Sequence, residues 1–270
     1  PSNINQGSWD PWRELAPFTV DVDADGTPEI VSGSDVWRNV GGTWQLLWQS
    51  EYEPIQSLAA DLDGDGKPEI VHVHVFDKTG AGEGTRAAFG GDLYRFSGLL
   101  ILDGETGAEK RRIRLPIYWT SWLTIADVDG DHAPDFVWNT GGRVWAIGAD
   151  GRIRWTYAFV PGGLPGSPDA YSGVANAQVY DLDGDGVPEV VTTSLSELVI
   201  LDGRTGLPRA SHPSAGLHGS FYTAQNVQLV DADSDGHVDI LATNVSEPTG
   251  LAYLMLRGAP NDWLPGPAIH

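Results

Sequence analysis

Five short stretches of this chain carry carboxylates at a spacing that suits one kind of chemistry. They are DVDADGTPE from Asp21, DLDGDGKPE from Asp61, DVDGDHAPD from Asp127, DLDGDGVPE from Asp181 and DADSDGHVD from Asp231. Counted from the first aspartate, acids stand at positions 1, 3, 5 and 9 of every copy. Alternate aspartates in a tight loop aim short carboxylates at one centre, and a hard cation needs that all-oxygen shell. Calcium takes six to eight oxygens in a flexible geometry, whereas magnesium demands a stricter octahedron. Zinc is poorly served by oxygen alone. The expected ligands are therefore carboxylates at positions 1, 3, 5 and 9, with the backbone carbonyl of position 7. They are Asp21, Asp23, Asp25, Thr27 and Glu29; Asp61, Asp63, Asp65, Lys67 and Glu69; and Asp127, Asp129, Asp131, Ala133 and Asp135. The last two sets are Asp181, Asp183, Asp185, Val187 and Glu189, and Asp231, Asp233, Asp235, His237 and Asp239. Up to five Ca2+ ions are expected.

Position 6 is Gly in four copies, where positive φ sharpens the turn, and His132 in the third. His enters that region more readily than a β-branched residue does. The opening of each loop also matches an EF-hand, which requires a bidentate Glu at position 12 and a helix on each side. Position 12 is Ser32, His72, Trp138, Thr192 and Ala242, none of them acidic, so the EF-hand is excluded.

The charge distribution agrees with a dedicated role for the loops. The chain has 270 residues and a formal net charge of −21. Its loops hold 20 of the 37 Asp and Glu, and the other 17 are nearly balanced by 16 Lys and Arg. The negative excess is thus local to the repeats, and no basic stripe marks a nucleic-acid partner. Cysteine is absent, so core and bound ions must supply the stability. No stretch approaches the roughly 18 apolar residues of a membrane span. Residue 1 is Pro and no signal-peptide pattern opens the chain, which suits a mature chain or an excised piece.

The elements that must position these loops read as strands. With 34 Gly and 18 Pro, the chain is broken too often for long helices. The first aspartates are 40, 66, 54 and 50 residues apart, and each unit reads as four short strands. In the second unit these are "IQSLAAD", "PEIVHVHV", "GLLILDGETG" and "AEKRRIRLP"; in the fourth, "NAQVYD", "PEVVTTS", "ELVILDGRTG" and "LPRASHP". "DGETG", "ADG" and "DGRTG" have hairpin-turn chemistry. The expected fold is all-β: a β-propeller of four-stranded blades starting near residues 17, 55, 121, 175 and 225, in one domain over 1–270.

From about Thr19 to Leu256 these units resemble FG-GAP or VCBS repeats, the calcium-bearing blades of integrin α-subunit-like propellers. The namesake signatures are displaced, since "FG" at 89–90 falls in an insertion and "GAP" at 258–260 follows the last strands. The likeness is therefore to bacterial surface or secreted members. The resemblance implies a loop between the first and second strand of each blade, with all the loops on one rim. It leaves open five blades, or part of a seven- or eight-bladed ring. It also implies an extracellular or cell-surface location, and a protein or carbohydrate ligand held on the rim.

Candidate ligand elements are the insertion Phe76 to Gly98, with Arg86, Asp92, Tyr94 and Arg95, and the Pro/Gly-rich connection Val160 to Gly173. Trp37, Trp44, Trp48, Trp119 and Trp122 suit packing between blades, or else stacking on sugar rings, and Trp263 lies in a Pro-rich tail. His72 and His74 share one strand face and are expected to be a satisfied pair; His212 and His218 adjoin no nucleophile motif. "NVS" at 244–246 is a glycosylation sequon. No GxSxG, HExxH or P-loop appears in a suitable context. The leading expectation is a non-catalytic, calcium-stabilised module for adhesion or ligand binding. The alternatives are a polysaccharide-active enzyme of rhamnogalacturonan-lyase type and an architectural segment of a larger surface protein.

Overall fold

The computed structural model describes residues 16–76, 96–115, 122–140, 142–159, 176–194, 197–213, 227–246 and 250–256. Those residues form antiparallel sheets and no helix, so none of them makes a helix able to cross a membrane. Packing divides the chain into two compact units, Pro1–Tyr118 and Trp119–His270.

The first unit holds two sheets. Sheet one is β1 (Phe18–Val20), β2 (Glu29–Ser32), β3 (Asp35–Val40) and β4 (Thr43–Gln49), paired in that order. Sheet two is β5 (Gln56–Ala60), β6 (Glu69–Phe76), β7 (Phe96–Leu102) and β8 (Glu109–Leu115). The second unit holds three. Sheet three is β9 (Leu123–Ala126), β10 (Asp135–Thr140), β11 (Arg143–Gly148) and β12 (Ile153–Ala158). Sheet four is β13 (Ala177–Tyr180), β14 (Glu189–Thr193), β15 (Glu197–Asp202) and β16 (Pro208–Pro213). Sheet five has three strands, β17 (Val227–Val230), β18 (Asp239–Ser246) and β19 (Gly250–Leu256).

Each acidic loop joins the first and second strand of its sheet, as expected. The register is the same each time: Val20 faces Glu29, Ala60 faces Glu69, Ala126 faces Asp135, Tyr180 faces Glu189 and Val230 faces Asp239. Position 9 is therefore always the first rung of the ladder. Because side chains alternate along a strand, this register sends the position 9 carboxylate to the same face in every sheet. A second regularity lies between third and fourth strands, where β3/β4, β7/β8, β11/β12 and β15/β16 each contain a bulge.

The second strands β10 and β14 are buried over their whole length, as central strands covered on both faces must be, while β2 alternates buried and half-buried residues. Three of the loops are anchored by position 2, since Val22, Val128 and Leu182 are buried among the strand residues of the cores, whereas Leu62 is half-buried and Ala232 exposed. Two tryptophans join neighbouring sheets. Trp48 of β4 donates its indole Nε1–H to the Gly104 carbonyl at 2.8 Å, and Trp155 of β12 donates to the Gly203 carbonyl at 2.6 Å. Both rings are largely buried. An indole covered this way contributes about 4–6 kcal/mol by area, and its hydrogen bond about 1 kcal/mol more. For Trp48 the packing reading holds, and Trp155, which the sequence did not single out, packs in the same way.

His72 departs from the expected satisfied pair. His72 and His74 do share a face of β6 and are both at 0% exposure. His74 donates from Nδ1 to the Glu53 carbonyl at 3.1 Å, since a carbonyl can only accept, and Tyr52 meets its ring edge-on at 5.3 Å. Both ring nitrogens of His72 are buried without a hydrogen-bond partner. Burial, with the neighbouring His74 adding to it, pushes the His72 imidazole down to about 3.

A histidine depressed in the folded state is neutral there while the unfolded chain still gains a proton. Its contribution is fully present above the ordinary value of about 6.5 and is lost as pH falls from there toward about 3. Between pH 6.5 and 5 the expected loss is about 2 kcal/mol. His72→Leu should flatten this part of the pH profile relative to wild type in denaturant melts at saturating calcium. Parallel profiles for the two proteins would show that the imidazole is not held neutral.

Candidate metal centres

Each loop is wound around the carboxylate of its first aspartate. Oδ2 of that residue accepts the position 6 N–H in every copy: from Gly26 at 2.8 Å, Gly66 at 2.9 Å, His132 at 2.8 Å, and Gly186 and Gly236 at 3.0 Å. Position 6 has φ between 67° and 90°, His132 included, so the third loop takes the same turn without glycine. The loops divide at Oδ1. Where position 4 is glycine, its own N–H donates: Gly64, Gly130 and Gly184 at 2.7–2.8 Å. Where it is Ala24 or Ser234, the N–H of Asp25 or Asp235 donates at 3.1 Å instead. All five position 4 residues have positive φ, at 59° for Ala24 and 62° for Ser234. Two left-handed residues per loop are thus required, and the repeated glycine at position 4 in three copies was the available signal.

The winding brings three carboxylates together. In each loop one ligand atom from positions 1, 3 and 9 lies within 4.8 Å of the other two: Asp21, Asp23 and Glu29; Asp61, Asp63 and Glu69; Asp127, Asp129 and Asp135; Asp181, Asp183 and Glu189; Asp231, Asp233 and Asp239. Position 9 is almost fully buried in all five. Its second oxygen accepts the position 2 N–H, at 2.8 Å from Leu62 and Leu182, 2.9 Å from Ala232 and 3.1 Å from Val22. The position 5 aspartates Asp25, Asp65, Asp131, Asp185 and Asp235 stand outside these groups. Each instead accepts the N–H of position 7 at 2.7–2.9 Å, which locates Thr27, Lys67, Ala133, Val187 and His237 through their amides.

Protein cations already approach these groups. Arg38 on β3 bonds both Asp23 and Glu29, the latter at 3.0 Å. Lys110 on β8 meets Asp63 at 2.7 Å and Glu69 at 2.6 Å. Arg154 on β12 lies 3.7 Å from Asp135. Arg209 on β16 reaches Glu189 at 2.8 Å, Asp185 at 3.1 Å and Asp202 at 2.9 Å. Lys110, Arg154 and Arg209 are the extra residues of their bulges, since the pairing skips from Arg111 to Glu109, from Trp155 to Ile153 and from Ala210 to Pro208. A bulge turns one side chain out of alternation, and here it turns a cation toward the loop. In sheet one the bulged residue is Leu47, and β3 supplies the arginine. Bonding to Asp63 and Glu69 raises Lys110 above the ordinary lysine range. Arg209 is likewise raised, chiefly by Asp202 and Asp185.

The position 9 oxygens are the most deeply buried of the group: Glu189 Oε1 is sealed from solvent and faces the Arg209 guanidinium at 2.8 Å. Burial pushes the Glu189 carboxyl up to about 7, against the pull of the Leu182 N–H, and that of Asp135 up to about 6. A carboxylate that costs this much to ionise fits a strong positive charge beside it. An all-oxygen donor set built around a buried carboxylate fits a hard divalent ion such as calcium. Bound there, the ion would tie the first rung of the sheet to the start of the loop.

The other expected residues scatter. Trp44 is 44% exposed, beside the exposed Leu46 on β4, while Trp37 and Trp122 are half-buried. His212 is an exposed residue of β16, and the sequon occupies the end of β18. Arg86, Asp92, Tyr94, Arg95, Trp119, Trp263, His218 and the 160–173 connection lie outside the described residues.

No family model matches the chain, and neither does any curated protein sequence. Among solved structures it is similar to the V. cholerae biofilm matrix protein Bap1, with a TM-score of 0.67 and 13% identity over 93% of this chain and 64% of that one. It is also similar to rhamnogalacturonan lyase YesW, with a TM-score of 0.56 and 20% identity over 88% of this chain and 48% of the lyase. The Bacillus licheniformis rhamnogalacturonan lyase PL11 gives 0.52 and 20%, again over 88% and 48%. The chain thus spans less than two thirds of the length of each. With its repeated antiparallel sheets, these likenesses show the fold class: an all-β protein of β-propeller type.

Proposed function

We propose that the chain is a calcium-stabilised β-propeller module that works outside the cell and binds a protein or glycan partner, its ions structural rather than catalytic. One observation carries the reading: five loops place a buried carboxylate at the first rung of a sheet, with two further carboxylates within 4.8 Å. An isolated buried carboxylate costs several kcal/mol, and one such group per sheet is tolerable only with a cation beside it. Extracellular calcium modules work at about 10⁻⁴–10⁻³ M, a concentration range that suits loops partly neutralised by the protein's own Arg and Lys. A fold shared with a biofilm matrix protein accords with the binding role. It is equally shared with lyases, so the choice rests on the site. A lyase needs an accessible base near its cation, and His72 and His74 are sealed in the core.

Native mass spectrometry should count about five calcium ions per chain, consistent with the five carboxylate groups. Each site at a hundredfold its Kd contributes about 2.7 kcal/mol, so chelation should lower Tm by more than about 10 °C. An unchanged Tm in EDTA would sink the structural role of the ions. Lys110→Met should tighten calcium binding at the second loop by roughly fivefold, because a protein cation leaves Asp63 and Glu69. Weaker binding in the calorimetric titration would mean that Lys110 supports the ion instead of competing with it.

A further inference from the structure

The tryptophan contacts do more than join two sheets, because the turn that receives each indole also touches the acidic loops of both. The two turns are Asp103–Gly107 and Asp202–Gly206, both of sequence D-G-x-T-G. In each, the aspartate carboxylate accepts the threonine N–H, at 2.8 and 2.9 Å. Their last glycines, Gly107 and Gly206, have φ of 72° and 69° and lie flat against the rings. A Cβ there would stand 2.7 Å from Trp48 and 2.5 Å from Trp155. At the other end of the turn, a Cβ on Gly203 would stand 2.1 Å from the Val128 carbonyl and 2.2 Å from the Pro188 carbonyl. A Cβ on Gly104 would stand 2.2 Å from the Pro68 carbonyl and 3.1 Å from Val22 Cβ. Each turn is therefore wedged between its own loop and the loop of the preceding sheet.

Hydrogen bonds fasten the wedge in the second unit. Gly203 donates its N–H to the Pro188 carbonyl at 3.0 Å, one residue before Glu189. Arg204 donates to the Asp129 carbonyl, at 3.0 Å from one nitrogen and 3.3 Å from another. The two loops also touch directly, since a Cβ on Gly130 would be 2.7 Å from the Gly186 carbonyl. The pairing alternates in the sequence. β8 and β16 carry no tryptophan, and the turn from β11 to β12 is the shorter Ala149–Asp150–Gly151 rather than D-G-x-T-G.

We propose that the acidic loops are coupled in latched pairs, the first with the second and the third with the fourth, through the D-G-x-T-G turn between them. The proposal rests on the calcium reading above and adds a regulation to it. An ion that holds Glu189 also holds the Pro188 carbonyl, which fixes the turn. Through Arg204, the turn then fixes the backbone of Asp129. The second ion meets a loop already ordered, so its binding loses less conformational freedom, and occupancy within a pair is positively cooperative.

Hydrogen exchange by mass spectrometry on the full chain, in calcium and in EDTA, tests this. Asp183→Asn weakens the fourth loop's ion site. Exchange in calcium should then rise in loop four, and also in the 202–207 turn and in loop three, by on the order of fivefold or more, while loops one and two keep wild-type protection. A rise confined to loop four, or an equal rise in all loops, overturns the pairing. Trp155→Phe keeps an aromatic ring in place but removes the indole N–H and the fused ring that Gly206 lies against, so it tests the latch as a whole whether or not Asp183→Asn folds. Its expected result is a joint rise in the turn and loop three; loop three unchanged overturns the proposal. If EDTA leaves wild-type exchange unaltered in every loop, the calcium reading fails. Trp155→Phe then decides the mechanical coupling alone.

Discussion

The burial of one carboxylate at the first rung of each sheet is the constraint on which the other features depend. A strand pair normally opens on a turn of neutral polar groups that water or backbone can satisfy. Here Glu29, Glu69, Asp135, Glu189 and Asp239 stand there with almost no exposure. Each side chain reaches back to the position 2 N–H and so closes its loop into a ring. Such a ring is stable only with positive charge inside it, since an unpaired buried charge costs more than the hydrogen bonds return. The left-handed residues at positions 4 and 6, the apolar anchor at position 2 and the cation arms all serve that requirement.

The bulges answer the same constraint from the far side of the sheet. In regular alternation Lys110, Arg154 and Arg209 would not all reach their loops, because neighbouring residues on an outer strand point to opposite faces. Skipping one residue in the pairing frees each cation to swing inward. Those side chains lower the negative charge of each loop and hold its carboxylates together. On the calcium proposal they would also limit affinity, since the loop would exchange one positive partner for another.

Much of this was legible in the residues. Carboxylates at positions 1, 3 and 9 converge as their spacing implied, because an eight-residue loop between paired strands leaves little freedom. Strand starts followed from the acidic loops that precede them and from turn chemistry such as "DGETG". The bulge cations were hidden, since Lys110 and Arg209 read as ordinary solvated charges on an edge strand. Only the pairing register reveals their direction. Position 4 was hidden by Ala24 and Ser234, which adopt positive φ although their side chains disfavour it. The role of Trp48 and Trp155 depends on a turn in the next sheet, more than 45 residues away in the chain. His72 was misjudged for a related reason: its register was readable, but the lack of a partner is a property of packing.

Repetition itself follows from these economies of charge and contact. A cysteine-free chain rich in glycine gains little rigidity from its covalent structure, and each apolar core cluster is shared by two neighbouring sheets rather than belonging to one. Stability must therefore be supplied where sheets meet, and those contacts are of two kinds. Apolar strand residues make the broad part of each interface, as in the core that unites Val22 and Val36 with Ile70 and Leu100. The turn, the indole and the two loops make the polar part, where backbone carbonyls approach closely enough that only glycine fits. The apolar part tolerates exchange of one aliphatic residue for another, whereas the polar part does not. A tightly wound loop beside a glycine turn thus helps determine which sheet sits next to which, while the apolar core supplies the bulk of the free energy.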